Sequence, residues 1–290
     1  MANAQAQAVT IKPKKHFKPM GFGRFLLWIV MIVVTITSIF PFWILIVMST
    51  QSNAEIFGGL TLLPGNKFIK NVKGVVQSGE FYRCYGNSLK VSILSTLVGV
   101  FFAALAGFAL SKYTFPGRAQ IFGFIMATMM VPGQISTIGF LMEMKGMGLV
   151  STHFPLIIGW VTNAFGTYWM TSYQEGSVPL ELIESARIDG CNEFMIFLRI
   201  VIPCITPAIA TLAMLVWMWS WNSYMLPLIM LNKSSMYTIP LFISSLGTAY
   251  STDYAGRMCG LLMATVPIII IFAIGSKTFV RGLTAGAVKG

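Results

Sequence analysis

Six stretches of this chain carry no Asp, Glu, Lys or Arg for roughly 20 residues or more, the length of helix that crosses a hydrocarbon core. They are Phe25 to Ala54, Val91 to Ser111, Ala119 to Met142, Gly146 to Gln174, Ile200 to Asn232 and Met258 to Ser276. With 56% apolar and only 10% charged residues over 290 positions, and a mean hydropathy of +0.75, an ordinary soluble domain is excluded. The sequence predicts an all-α membrane protein with six transmembrane helices, near 25–48, 89–111, 119–142, 153–174, 204–231 and 258–279.

Orientation follows from the basic residues, because Lys and Arg in short loops favour the cytoplasmic side. The tail 1–24 carries Lys12, Lys14, Lys15, Lys18 and Arg24 and no acid. With that tail inside, twelve of the 20 Lys and Arg fall inside and eight outside, which places both termini in the cytoplasm. The net charge of +11 reads as membrane orientation and attraction to anionic lipid, not nucleic-acid binding. The first 24 residues read as a disordered tail. The apolar run behind them is too long, and too poor in small-residue cleavage signals, for a removed signal peptide.

The membrane interior holds no Asp, Glu, Lys or Arg, since Lys90 and Lys277 fall only at the ends of their predicted spans, whereas ion-coupled transporters usually keep such a group at depth. No H-E-x-x-H or G-x-S-x-G occurs, and there are only two histidines, His16 and His153, so catalysis within the chain is not expected. Cys84, Cys191, Cys204 and Cys259 are scattered, with no metal-binding spacing. Cys84 and Cys259 both fall near the external face, where a disulfide is geometrically conceivable beside ordinary packing. The driving force of any transport would have to arrive through a partner.

The handle for such a partner is an acidic segment. Five of the nine carboxylates, Glu175, Glu181, Glu184, Asp189 and Glu193, fall in the loop 175–203. Pro179 can open a helix there, Glu181 and Glu184 suit its positive end, and Gly190 would close it as a left-handed cap. Ile183, Ala186 and Gly190 form a small-residue strip with Glu184 and Arg187 beside it. From these features alone, docking to a partner and packing on the chain's own bundle are equally supported.

The match at Glu184-Ser185-Ala186, then Gly190 after three residues, then Ile200 after nine, then Ile202-Pro203, separates them. It resembles the coupling signature E-A-A-x3-G-x9-I-x-L-P of permease subunits of bacterial ATP-binding-cassette importers, with Ser185 for Ala and Ile202 for Leu. Ser49-Thr50 through Ala54-Glu55-Ile56-Phe57, Met130-Val131-Pro132-Gly133-Gln134, Trp221-Asn222-Ser223-Tyr224-Met225-Leu226-Pro227-Leu228 and the end from Arg281 to Gly290 are similar to carbohydrate importers, in particular the second permease of maltose-type systems. Ser223 replaces an acidic residue frequent in that family.

The resemblance implies a type I importer permease fold, with an importer domain at 86–280 after a first helix at 25–48 and an external loop at 49–85. It implies a second, related permease, two ATPase subunits that hold ATP and Mg, and an external binding protein. It also implies a multi-pass protein of the bacterial cell membrane that is itself no enzyme and binds no cofactor or metal. Coupling would fall to Glu181, Glu184, Ala186, Arg187, Asp189 and Gly190. The external loop 233–257 would carry a scoop at Ser245, Leu246, Gly247, Thr248 and Tyr250 that enters the opened binding protein. The tail 281–290, with Gly286 and Lys289, would face the ATPases.

For the solute pathway, Pro132 and Gly133 interrupt the third span, and freed backbone is tolerated in a membrane only beside protein or a wet cavity, which Gln134 could line. Trp217, Trp221 and Tyr224 share a helical face with Asn222 adjacent, a surface suited to a sugar, though packing against a partner would use the same face. A channel or secondary transporter would share the six spans and work without an ATPase. A permease for polyamines or amino acids would bring charged groups into the spans.

Overall fold

The computed structural model describes residues 22–247 and 251–287, with side chains to residue 276. The described residues are helical; their one β feature is an isolated antiparallel bridge between Gly247 and Thr252. In chain order the helices are α1 (Phe22–Ser49), α2 (Asn53–Phe57), α3 (Phe68–Gln77), α4 (Phe81–Lys112), α5 (Arg118–Thr128), α6 (Gly133–Gly146), α7 (Phe154–Ile158) and α8 (Ala164–Ser177). There follow α9 (Leu180–Ile188), α10 (Glu193–Ile196), a π turn at Phe197–Val201, α11 (Ile202–Cys204), α12 (Thr206–Trp221), α13 (Met225–Met230), a 3-10 turn at Ser234–Met236, α14 (Ile239–Ser245) and α15 (Tyr254–Ala287).

The chain divides between Ile44 and Leu45 into two compact units. In the first, α1 exposes its apolar side chains from Phe22 onward. Its hydroxyls turn back on their own helix: Thr35, Thr37 and Ser38 donate to the carbonyls of Met31, Val33 and Val34 at 2.7, 2.8 and 2.8 Å. This satisfies the polar groups without a partner, as a helix in lipid requires.

In the second unit α4 is the central helix. Small residues let α8 approach it closely: a Cβ on Gly107 would stand 2.7 Å from the Met170 Cβ and 2.9 Å from Gln174 Nε2. Gln174 donates Nε2 to the Ala104 carbonyl at 3.0 Å. Val100, Ala103, Ala104 and Phe108 of α4 bury with Met170, Ile183, Ile196, Phe197, Ile205 and Leu212. A second cluster joins Phe81 and Cys84 to Trp217, Trp221, Phe242 and Cys259. That burial explains why α4 begins at Phe81 and not near residue 89.

Three helices are long and apolar enough to cross a membrane, α1, α4 and α15 through Ser276, and up to five spans result if each bent pair is one. Among the described residues this count of three to five does not reach the six spans predicted, and several of the predicted segments are not straight helices. The third bends by 101° between α5 and α6, where Pro132 stands as the cap of α6. The fourth breaks between α7 and α8, because Asn163 Oδ1 accepts the Gly166 N–H at 3.0 Å and starts a new helix. The fifth bends by 84° between the α10–α11 segment and α12, after a π turn that precedes Pro203. It breaks again at Asn222, whose Nδ2 donates to the Met218 carbonyl at 2.9 Å.

Two segments read from the sequence as a loop and a tail contain helix. The loop 233–257 is largely packed structure, since α14 buries Ile239, Leu241, Phe242 and Ile243. The tail expected at 281–290 continues α15 as helix to Ala287, with Gly286 inside it. Lys289 and the residues before Phe22 lie outside the described residues.

Candidate functional site

The acidic segment folds as its residues dictate. Pro179 stands at the cap of α9 with ψ of 140°, where its missing N–H costs nothing because first-turn donors have no acceptor in the helix. Glu181 lies in the first turn and Arg187 in the last, each favourable to the helix dipole. Gly190 takes φ of +78°, and the carbonyls of Ala186 and Arg187 accept from Cys191 N at 3.0 Å and Gly190 N at 3.1 Å. This paired left-handed closure is the expected cap.

The orientation of α9 differs from expectation. Ile183 and Ala186 are buried within the chain's own core, so two of the three strip residues face inward because they gain apolar burial there, while Gly190 stays exposed. The outward face is Glu181, Leu182, Glu184, Ser185, Ile188 and Asp189, all exposed. Ile188, which the sequence reading did not single out, is 87% exposed. An isoleucine this bare beside three carboxylates is a ready anchor for another surface.

Arg187 does not pair with Glu184. Its Nε and Nη2 donate to Glu193 Oε1 and Oε2 at 2.7 and 3.2 Å, and its guanidinium lies 5.4 Å from the Tyr113 ring centre. The Tyr113 hydroxyl donates to the same carboxylate. Arg187, then Tyr113, hold the Glu193 carboxyl below its ordinary value of 4.5. Burial, then the Glu193 hydrogen bond, raise the Tyr113 hydroxyl. Because the folded-state value of Glu193 is depressed, its contribution is complete above the unfolded value and is lost as pH falls through the folded one. At neutral pH the cluster is charged. Its side chains are 37% and 47% exposed, so the ion pair is worth at most about 1 kcal/mol of stability; its importance is geometric.

The predicted pathway residues do not converge. Gln134 is exposed in the first turn of α6. Trp217 and Trp221 are buried and stack on each other at 5.1 Å and 13°. Trp221 Nε1 donates to the Ala264 carbonyl at 3.1 Å, and Tyr85 meets it edge-on at 5.5 Å. The aromatic face expected to meet a solute is thus packed against the chain's own α4 and α15, where burial is more favourable and the indole N–H finds a carbonyl. Asn222 and Tyr224 lie exposed in the turn between α12 and α13.

A cavity of about 400 Å³ lies nearby, with Trp160, Asn163, Phe165, Ser220, Ser223 and Thr238 among its lining residues, none of them ionisable. Trp160 stacks on Trp219 at 6.2 Å and 4°. Among the described residues, Asn163 Nδ2, Ser220 Oγ and Thr238 Oγ1 are buried side-chain atoms without a hydrogen-bond partner. Each such atom costs about 1–3 kcal/mol until something pairs with it. The signal available in the sequence was the presence of neutral polar residues, Asn163 and Ser220, inside apolar windows.

Of the expected scoop, Ser245 ends α14 and donates its hydroxyl to the Phe242 carbonyl at 2.7 Å. Leu246 is buried. Gly247 has φ of +125°, and a Cβ there would stand 2.5 Å from the Ser251 carbonyl oxygen, so only glycine fits. Thr248 and Tyr250 lie outside the described residues. Cys84 and Cys259 are buried and free, and do not pair. Among the described residues no three His, Cys, Asp or Glu side chains gather as metal ligands.

Residues 95–284 match the family described as "Binding-protein-dependent transport system inner membrane component". The chain is 32% identical over 257 residues to the arabinooligosaccharides transport system permease protein AraQ of Halalkalibacterium halodurans, across 87% of this chain and 92% of that protein. It is 30% identical over 280 residues to AraQ of Bacillus subtilis, across 95% and 99% of the two. Its fold matches a chain of a bacterial ABC transporter involved in alginate import, with a TM-score of 0.77 and 23% identity over 89% of this chain and 96% of that one.

Proposed function

Because the chain belongs to the binding-protein-dependent transport system inner membrane components, we propose that it is a permease subunit of an ATP-driven importer for a neutral sugar or oligosaccharide. It works beside a second, related permease, on two ATP-binding-cassette ATPase subunits that hold ATP and Mg, with an external binding protein delivering the solute. The chain crosses the bacterial cell membrane six times, with α5–α6, α7–α8 and α11–α13 as bent crossings and both termini cytoplasmic.

The observation that carries the solute class is the cavity of Trp160, Asn163, Phe165, Ser220, Ser223 and Thr238. Aromatic faces stack on the C–H faces of a sugar, and the unpartnered amide and hydroxyls pair with its hydroxyl groups. A charged polyamine or amino acid would find no counter-ion there. The relatives named for arabinooligosaccharides agree with this chemistry. Gln134, Asn222 and Tyr224 are the exposed polar groups that would pass the solute to and from the cavity.

ATP-driven closure of the ATPase pair is delivered to the outward face of α9, through Glu181, Glu184, Ile188 and Asp189, and rocks the permease between outward and inward access. The test is uptake by cells lacking this chain, offered radiolabelled arabinose, galactose and glucose oligosaccharides, a polyamine and an amino acid. Loss of oligosaccharide uptake alone is expected. Loss of polyamine or amino-acid uptake alone would contradict the reading.

Two smaller effects are expected. Replacing Leu246–Tyr250 by a Gly/Ser linker lowers uptake and the ATPase stimulation given by loaded binding protein, with assembly unchanged. If both stay normal, this stretch is only a connector. Truncation after Arg281 removes the last turns of α15 and the residues beyond, and reduces co-purification of the ATPase. Full retention with full activity would mean that the segment makes no contact there.

A further inference from the structure

The docking helix is bracketed at both ends by the end of one other helix. Lys112, the last residue of α4, donates Nζ to the Val178 carbonyl at 2.6 Å, two residues before α9 begins. Tyr113, the cap of α4, holds the Glu193 carboxylate that grips Arg187 in the last turn of α9. Along the chain, α9 is joined to α8 only through Val178 and Pro179, a junction about which a helix can pivot. Burial of Ile183 and Ala186 holds the inner face of α9, and the bracket fixes its two ends.

What it is fixed to matters. Gly107 admits no side chain between α4 and α8, so the two helices pack as one body, and both also reach the cavity, through Val91 of α4 and Ala164 and Phe165 of α8. α4 is unbroken over 32 residues. At 1.5 Å per residue its cavity wall at Val91 and its bracket at Lys112 are roughly 30 Å apart. The other chain-linked route from α9 to the cavity, through α10 and α12, passes an 84° bend.

We propose that the α4–α8 pair is the strut that carries movement of the docking helix to the solute cavity, and that Lys112, Tyr113, Arg187 and Glu193 are positioning residues that lock α9 to it. The proposal rests on α9 being the ATPase-docking helix. The lock touches neither solute nor nucleotide. Its loss allows α9 to turn under load while the ATPase stays bound, so that ATP is hydrolysed without a matching displacement at the cavity.

The experiment uses the complete assembly in proteoliposomes and measures oligosaccharide imported per ATP hydrolysed. The probe is the radiolabelled oligosaccharide of the arabinose, galactose and glucose series that the unaltered assembly takes up fastest. In Arg187→Met the ratio falls by about five-fold or more with the ATPase still bound, a loss within the usual range of coupling between sites. Tyr113→Phe, which keeps the ring and removes one hydroxyl, lowers the ratio by a smaller factor. The exchanged pair Arg187→Glu with Glu193→Arg restores most of it, which a merely destabilised fold would not show. Ile188→Glu, on the outward face of α9, separates the two readings. If it uncouples the assembly while Arg187→Met and Tyr113→Phe keep the normal ratio, the lock is refuted and docking stands. If Ile188→Glu changes neither ATPase binding nor the ratio, docking is refuted and the lock falls with it. Loss of the ATPase from the Arg187→Met assembly also overturns the proposal, because the bracket would then be shaping the docking surface itself.

Discussion

Substituting Glu for Gly190 abolishes most uptake while leaving the chain inserted in the membrane. Gly190 closes α9 in the left-handed conformation, and a Cβ there would meet nothing within 4 Å, so the substitution is not excluded by bulk. The left-handed backbone costs a glutamate roughly 1–2 kcal/mol, too little to unfold a helix whose Ile183 and Ala186 are anchored in the core. What changes is the partner's view of it. A second carboxylate beside Asp189 must enter whatever cleft receives the helix end, and burying unpaired like charges is costly. Uptake and binding-protein-stimulated ATP hydrolysis fall on the order of ten-fold or more, the scale of a lost coupling between sites. Gly190→Asn, which tolerates the left-handed conformation without a charge, stays near wild type. Transport and ATPase assays at matched membrane levels check both, and normal stimulation in Gly190→Glu would remove α9 from the docking role.

The second large effect is at the cavity. Thr238→Val keeps the shape of the side chain and removes a buried hydroxyl that has no partner. If that hydroxyl serves only the fold, its removal is neutral or stabilising, by up to about 1–3 kcal/mol. If it pairs with a sugar hydroxyl, uptake falls several-fold while thermal stability holds or rises. Ser220→Leu goes further, since it removes a second unpartnered hydroxyl and fills part of a cavity of about 400 Å³. Uptake then drops by roughly ten-fold, the worth of one or two buried hydrogen bonds. Opposite signs for stability and transport in Thr238→Val are the diagnostic pattern. Unchanged uptake in both variants would make the cavity a packing defect.

Local chemistry was legible in the sequence. Pro179, Glu181 and Gly190 lie within a dozen residues of one another, and the start, polarity and cap of α9 follow from them alone. The bend at Pro132 was legible for the same reason. Which side of α9 faces inward was not, because Ile183 and Ala186 at helical spacing suit a partner's surface and the chain's own core equally. The break at Asn163 was hidden because a neutral amide inside an apolar window leaves the hydropathy pattern intact, and only its bond to the Gly166 N–H shows that it starts a helix. Trp217 and Trp221 were on one face as expected, but the depth of that face depends on α4 and α15, more than thirty residues away in sequence on either side. The cavity draws on segments far apart in the chain, around Val91, Trp160 and Ser220, and Tyr113 reaches Glu193 across 80 residues; no local pattern records such pairings.

The most direct test is ATP dependence in a defined system. Proteoliposomes holding this chain, its partner permease and the two ATPase subunits, supplied outside with binding protein and a radiolabelled neutral oligosaccharide of the arabinose, galactose and glucose series, are loaded inside with ATP and Mg, with ADP, or with neither. The account predicts accumulation against a gradient only with internal ATP and external binding protein, and none from this chain alone. Accumulation or equilibration of the oligosaccharide by the chain alone, with no ATP present, would contradict it.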